Sequence, residues 1–113
     1  MEKVFNKLVR DNIPEIVTNN GEEAVTRVLD QEEYLEELLK KLFEEAQEVK
    51  DSKTSDETLE EVADVLEILK AIAELYGKKL DDVIEIARQK RLKRGGLEKR
   101  IFLEKTFKKE DIK

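Results

Sequence analysis

The chain has 113 residues, of which 44% are charged and 39% hydrophobic, and its formal net charge is -6. It contains no cysteine and no histidine, which excludes disulfides, thiolate and imidazole metal ligands, cysteine nucleophiles and any triad built on histidine. The acidic balance disfavours a nucleic-acid polymer as partner, and without a signal peptide or an apolar run of about 18 residues the expected location is cytoplasmic, with no membrane partner.

Residues 1–10 form a mixed entry segment. Asp11-Asn12-Ile13-Pro14 reads as a turn into a short helix, because proline suits a first helical turn, and Asn20-Gly21 suits its stop. Residues 24–29 alternate loosely and are rich in β-branched side chains, which predicts a short strand. Asp30 has the character of an N-cap, and Glu33 three residues on gives a capping box.

From residue 31 to about 51, Leu35, Leu38, Leu39, Leu42, Ala46 and Val49 recur at spacings of three and four, the mark of an amphipathic helix. A short polar connection follows, with Ser55 or Asp56 as the expected cap of a second long helix that ends at Tyr76-Gly77. Residues 80 to about 94 predict another helix, stopped at Gly95-Gly96. Residues 99–105 predict a strand paired with 24–29. Nothing in the pattern suggests a linker or a repeat, so one domain spanning residues 1–113 is expected.

The second long helix carries two apolar stripes, Leu59-Val62-Ala63-Leu66-Leu69-Ala73 and Ile68-Ala71-Ile72-Leu75. A helix apolar nearly all round is buried all round. In a chain this short, pairing of subunits achieves that, so a homo-oligomer is expected, most simply a two-fold dimer. The fold class is thus mainly α: an antiparallel helical hairpin with flanking helices and a small two-stranded β element, assembled into a dimeric helical bundle.

The acidic residues carry the chemistry. Glu45 and Glu48 lie three apart on the first long helix, and Glu61 and Asp64 three apart on the second, so each pair shares a helix face. Glu44 is turned about 100° from Glu45 and is the weaker candidate. In an antiparallel hairpin centred on the Thr54–Ser55 junction, Glu48 meets Glu61 and Glu45 meets Asp64 at matched heights. Both pairs continue apolar ridges, through Ile68 and Leu75 on one helix and Tyr34 and Leu38 on the other. Carboxylates beside an apolar seam repel one another and resist desolvation, a cost that a divalent cation offsets. An all-oxygen donor set suits Mg²⁺, Ca²⁺ or Mn²⁺ and disfavours zinc.

At these residues the sequence resembles the MazG-like, phosphoribosyl-ATP pyrophosphohydrolase-like superfamily of all-α nucleoside triphosphate pyrophosphohydrolases. The resemblance runs through Glu44-Glu45-x-x-Glu48 and Glu61-x-x-Asp64, and extends to Lys7-Leu8-Val9-Arg10-Asp11-Asn12-Ile13-Pro14-Glu15 and Arg94-Gly95-Gly96-Leu97. The compact branch it is most similar to often has phenylalanine at the position of Leu97 and lysine at that of Asn12.

The resemblance implies hydrolysis of a nucleoside triphosphate, or a related nucleotide, between the α and β phosphates, in a nucleotide housekeeping role. Glu45, Glu48, Glu61 and Asp64 would be both the Mg²⁺ ligands (Mn²⁺ as substitute) and the catalytic carboxylates, one of them, with Glu45 as the candidate, orienting or deprotonating the water. Lys7, Arg10, Lys90, Lys93 and Arg94 are the expected phosphate-binding cations. Lys7 and Arg10 have an alternative in ion pairs with Asp11 or Glu15, and the back basic run in a solvated helix end. Gly95 and Gly96 either approach a phosphate with their backbone amides or merely stop the helix. Two other functions fit the same residues: phosphoribosyl-ATP hydrolysis in histidine biosynthesis, and a non-catalytic helical dimer that senses nucleotides.

Overall fold

The computed structural model describes residues 1–111. Its elements in chain order are α1 (Ile13–Asn19), α2 (Gln31–Asp51), α3 (Ser55–Leu75), α4 (Leu80–Arg94) and a closing 3-10 turn at Lys109–Asp111. The fold is mainly α, and the chain divides into two compact units, Met1–Leu80 and Asp81–Lys113.

The first unit is organised around α2 and α3, which pack on one another. Each helix end is fixed by local chemistry. Asp30 caps α2 by accepting the Glu33 amide at 2.9 Å. Only half of the expected capping box forms, because the Glu33 carboxylate binds the Arg27 guanidinium through both oxygens. A charge-assisted pair with arginine outcompetes a single backbone amide.

The cap of α3 is Thr54, not Ser55 or Asp56: its hydroxyl accepts the Glu57 amide at 3.2 Å, and the Glu57 carboxylate in turn accepts the Lys53 amide at 2.9 Å. Thr54 has extended backbone angles, which an N-cap needs, while Ser55 is already in the helix. Beside it, the Ser52 hydroxyl reaches the Val49 carbonyl at 2.7 Å and the Thr58 hydroxyl at 2.6 Å. These bonds hold the end of α2 to the first turn of α3 across a connection of three residues, which sets the register between the helices. The far end of α3 stops at Gly77, whose φ of +74° is open to glycine at little cost. The amides of Gly77 and Lys78 turn back to the carbonyls of Glu74 and Ala73 in a Schellman arrangement.

The α2–α3 seam is built from Leu38 and Ile68, 3% and 4% exposed, flanked by half-buried Tyr34, Leu35, Leu42, Val65, Ile72 and Leu75. Of the two apolar stripes on α3, the one containing Ile68, Ala71, Ile72 and Leu75 faces α2. In the other, Leu59, Val62, Leu66 and Leu69 lie exposed on the single chain, with only Ala73 buried.

No strand is present among the described residues, so the expected two-stranded element is a correction. Residues 22–30 and 101–108 lie outside regular secondary structure. Val25 and Val28 are essentially fully exposed. β-branched side chains favour a strand only where a neighbouring strand gives them a surface to pack on.

The second unit comprises α4 from Asp81 onward and the segment that follows. Its described residues through Glu110 are all exposed. Ile84, Ile86 and Leu92 on the helix, and Ile101, Phe102 and Leu103 beyond it, have more than half of their surface in water. The helix ends at Gly95, at φ +83°, with its amide bonded to the Arg91 carbonyl at 2.8 Å.

Candidate metal centre

The ridge of α3 that packs on α2 continues from Ile68 through Asp64 to Glu61, and the facing ridge of α2 continues from Leu38 to Glu45. The packing that buries the seam therefore carries these carboxylates with it. Glu45, Glu61 and Asp64 each place one carboxylate oxygen within 4.8 Å of the other two. Glu45 is 9% exposed, the one buried charged residue among those described. The Oε2 atoms of Glu45 and Glu61 are both shielded from solvent and without a hydrogen-bond partner. An unpartnered carboxylate oxygen removed from water is costly, and two residues of the group each hold one.

The electrostatics follow from this crowding. The Glu61 carboxyl is raised from 4.5 to about 7, first by a hydrogen bond with Glu48, then by desolvation and the charge of Glu48, with Glu45 and Asp64 adding to it. Glu45 is raised chiefly by burial and next by Glu48, with Asp64 contributing and the Lys41 ammonium opposing. Glu48 thus adjoins both partners from an exposed position at the margin of the cluster. The four carboxylates picked out by spacing do converge, three as a tight group and Glu48 beside it. Glu44 is turned away: it lines a shallow cleft with Lys7, Leu8, Glu37, Lys40 and Lys41.

The cations divide differently from the expectation. The Arg10 Nη2 donates to Asp64 Oδ1 at 2.7 Å across 54 residues of sequence, and its partner is neither Asp11 nor Glu15. A chain-distant acidic cluster exerts a stronger pull than a single neighbouring carboxylate. Lys7 lies over the Phe5 ring at 5.8 Å, beside α2 and without a contact to the three-carboxylate group. Lys90, Lys93 and Arg94 are exposed in the last turns of α4, in the second unit. Both ion pairs of the cluster, Arg10–Asp64 and Lys41–Glu45, lie in the first unit. Lys41 was not among the expected site residues. Its position four before Glu45 on one helix was the available signal.

The donors are all carboxylate oxygens, hard ligands suited to Mg²⁺, Mn²⁺ or Ca²⁺ and poorly suited to zinc. The buried, unpartnered oxygens and the raised Glu45 and Glu61 carboxyls mark a cluster that could hold such a cation. Searches against protein-family models, curated proteins and solved structures return no match to this chain. No helix among the described residues is long and apolar enough to cross a membrane.

Proposed function

We propose that this chain is a divalent-cation-dependent nucleotide pyrophosphohydrolase, cleaving a nucleoside triphosphate or a related nucleotide between its α and β phosphates to a monophosphate and pyrophosphate. The observation that carries the reading is the group of three carboxylate oxygens within 4.8 Å, on Glu45, Glu61 and Asp64, two of whose residues also hold a buried oxygen without a partner. The motif resemblance at Glu44-Glu45-x-x-Glu48, Glu61-x-x-Asp64 and the two chain ends supports the choice of reaction.

Glu45, Glu61 and Asp64 would hold Mg²⁺, or Mn²⁺ in its place, with Glu48 completing the set from the solvent side. The ion supplies charge neutralisation at phosphate oxygens and an acidified water. The remaining work falls to the protein. Burial of Glu45 against the seam fixes the donor positions before any ligand arrives. One carboxylate of the set, Glu45 by the motif resemblance, would orient or deprotonate the water. With no histidine or cysteine in the chain, a carboxylate is the available base. Arg10 and Lys7 would supply positive charge from the N-terminal segment.

The assembly belongs to the same proposal. The exposed stripe Leu59, Val62, Leu66 and Leu69 on α3 is a contiguous apolar helix face of the kind that marks a protein contact. The second unit has no buried residue among those described through Glu110. A second copy of the chain, forming a dimeric helical bundle, covers both.

The test is pyrophosphate release from a panel of nucleoside triphosphates and phosphoribosyl-ATP with Mg²⁺ or Mn²⁺. The reading expects release that requires the cation and disappears in Glu61→Gln. The absence of release from every nucleotide under both metals would refute it.

A further inference from the structure

We propose that Arg10 is a built-in counter-ion of the carboxylate cluster: it competes with a divalent cation for Asp64 and turns to a phosphate-bearing ligand once a cation takes that carboxylate. This rests on the cation-site reading above. It adds to it a coupling between cation and anion binding, carried by one side chain.

Three features of the contact support this. First, the bond is a single one, Arg10 Nη2 to Asp64 Oδ1 at 2.7 Å, which commits one of the five N–H donors of the guanidinium. Second, both side chains are substantially exposed, 55% for Arg10 and 40% for Asp64, so the pair is held weakly and exchanges readily. Third, Arg10 reaches the cluster from outside the hairpin. Its carbonyl accepts the Ile13 amide at 3.1 Å, which anchors its backbone at the start of α1 while the exposed side chain remains free to swing. Lys41 contrasts with it on each point: it sits on the same helix as Glu45, four residues away, and is 22% exposed. Lys41 is a fixed charge, and Arg10 is a movable one.

The chemistry sets the order of events. In the cation-free cluster, Arg10 supplies positive charge to a group of crowded carboxylates. A divalent ion carries twice that charge and satisfies several oxygens at once, so it displaces a monovalent, one-bond partner from Asp64. The released guanidinium then lies next to a site that has lost much of its negative charge. Its planar fork matches the oxygens of a phosphate or pyrophosphate. Anion binding is therefore strengthened by the cation twice, through charge and through the freeing of Arg10.

The experiment is calorimetric titration of the full chain with Mg²⁺ alone, then of the Mg²⁺-saturated chain with inorganic pyrophosphate. The proteins are wild type, Arg10→Gln, Arg10→Lys and Lys3→Gln, with helicity checked by circular dichroism. Lys3→Gln removes the same unit charge from the same N-terminal segment without touching Asp64. Arg10→Gln is expected to bind Mg²⁺ roughly two- to fivefold more tightly than wild type, and to bind pyrophosphate about tenfold more weakly once loaded. Arg10→Lys should fall between the two, and Lys3→Gln should match wild type in both titrations. Equal or weaker Mg²⁺ binding by Arg10→Gln, unchanged pyrophosphate binding, or the same shifts in Lys3→Gln would each overturn the proposal. Saturable Mg²⁺ binding that is lost in Glu61→Gln but indifferent to Arg10 removes this proposal alone. No saturable Mg²⁺ binding in wild type removes the cation-site reading with it.

Discussion

Glu45 on α2 and Glu61 on α3 meet across the helical seam, each with its Oε2 buried and unpartnered. They share a neighbour, Glu48, that raises the proton affinity of both. The seam buries Leu38 and Ile68 at a profit and carries these two carboxylates in at a loss. A positive charge between them would offset that cost.

A cation that binds the folded cluster should stabilise the chain by mass action. At a Mg²⁺ concentration 100 times its dissociation constant, the gain is about 2.7 kcal/mol. For a chain of this size, each kcal/mol raises the melting temperature by roughly 4–8 °C. Thermal melts with and without millimolar Mg²⁺ should show this rise in wild type and a much smaller one in Glu61→Gln and Asp64→Asn.

The pH dependence has a definite sign. Glu61 is raised from 4.5 to about 7 in the fold, so the folded chain holds a proton that the unfolded chain has released. That contribution to stability is complete below pH 4.5 and fades as pH rises through 7. Melting without metal should therefore show this contribution declining between pH 5 and pH 8. Mg²⁺ affinity should rise over the same interval, because protons and the ion compete for the same oxygens. A Mg²⁺ affinity that stays flat across the window would contradict the assignment.

Glu61→Gln separates the two roles of that side chain. The amide keeps the shape and removes the charge, so without metal the variant should melt above wild type at pH 8 and close to it at pH 5. With Mg²⁺ at pH 8 the order should reverse. Destabilisation by the substitution without metal at pH 8 would mean that the carboxylate is structural.

The core is small enough for one truncation to register. Ile68→Ala removes a side chain that is 4% exposed and should cost about 2–5 kcal/mol in urea unfolding. Leu66→Ala, on the exposed stripe, should cost far less at low protein concentration. Leu66→Lys should shift the sedimentation coefficient from the oligomer to the single chain if that stripe is the subunit contact. Identical sedimentation of wild type and Leu66→Lys would dismiss the stripe as an interface.

The start of α3 offers a local test of register. Thr54→Ala deletes the cap and should cost about 1 kcal/mol, whereas Ser55→Ala should stay within about 0.5 kcal/mol. The reverse order would place the helix start one residue later.

Much of this molecule was legible without coordinates, because its signals are local. The apolar spacing from Leu35 to Val49 and from Leu59 to Leu75, the Asp30 cap and the stops at Gly21, Gly77 and Gly95 depend on neighbours within about one helical turn. That Glu45 would lie near Glu61 and Asp64 was also readable, since a short connection leaves a hairpin little freedom of register. What the sequence could not decide was anything settled by competition between distant groups. Glu33 could have closed a capping box, but Arg27 took its carboxylate. Arg10 had two acidic neighbours, yet the summed charge of a cluster 54 residues away drew it to Asp64. Residues 24–29 had the composition of a strand and no strand beside them. Only the tertiary structure chose which stripe of α3 faces α2, because both are apolar and burial energy alone does not distinguish them. That choice placed three carboxylate oxygens within 4.8 Å of one another, and the free energy of burying Leu38 and Ile68 in the α2–α3 seam holds them there.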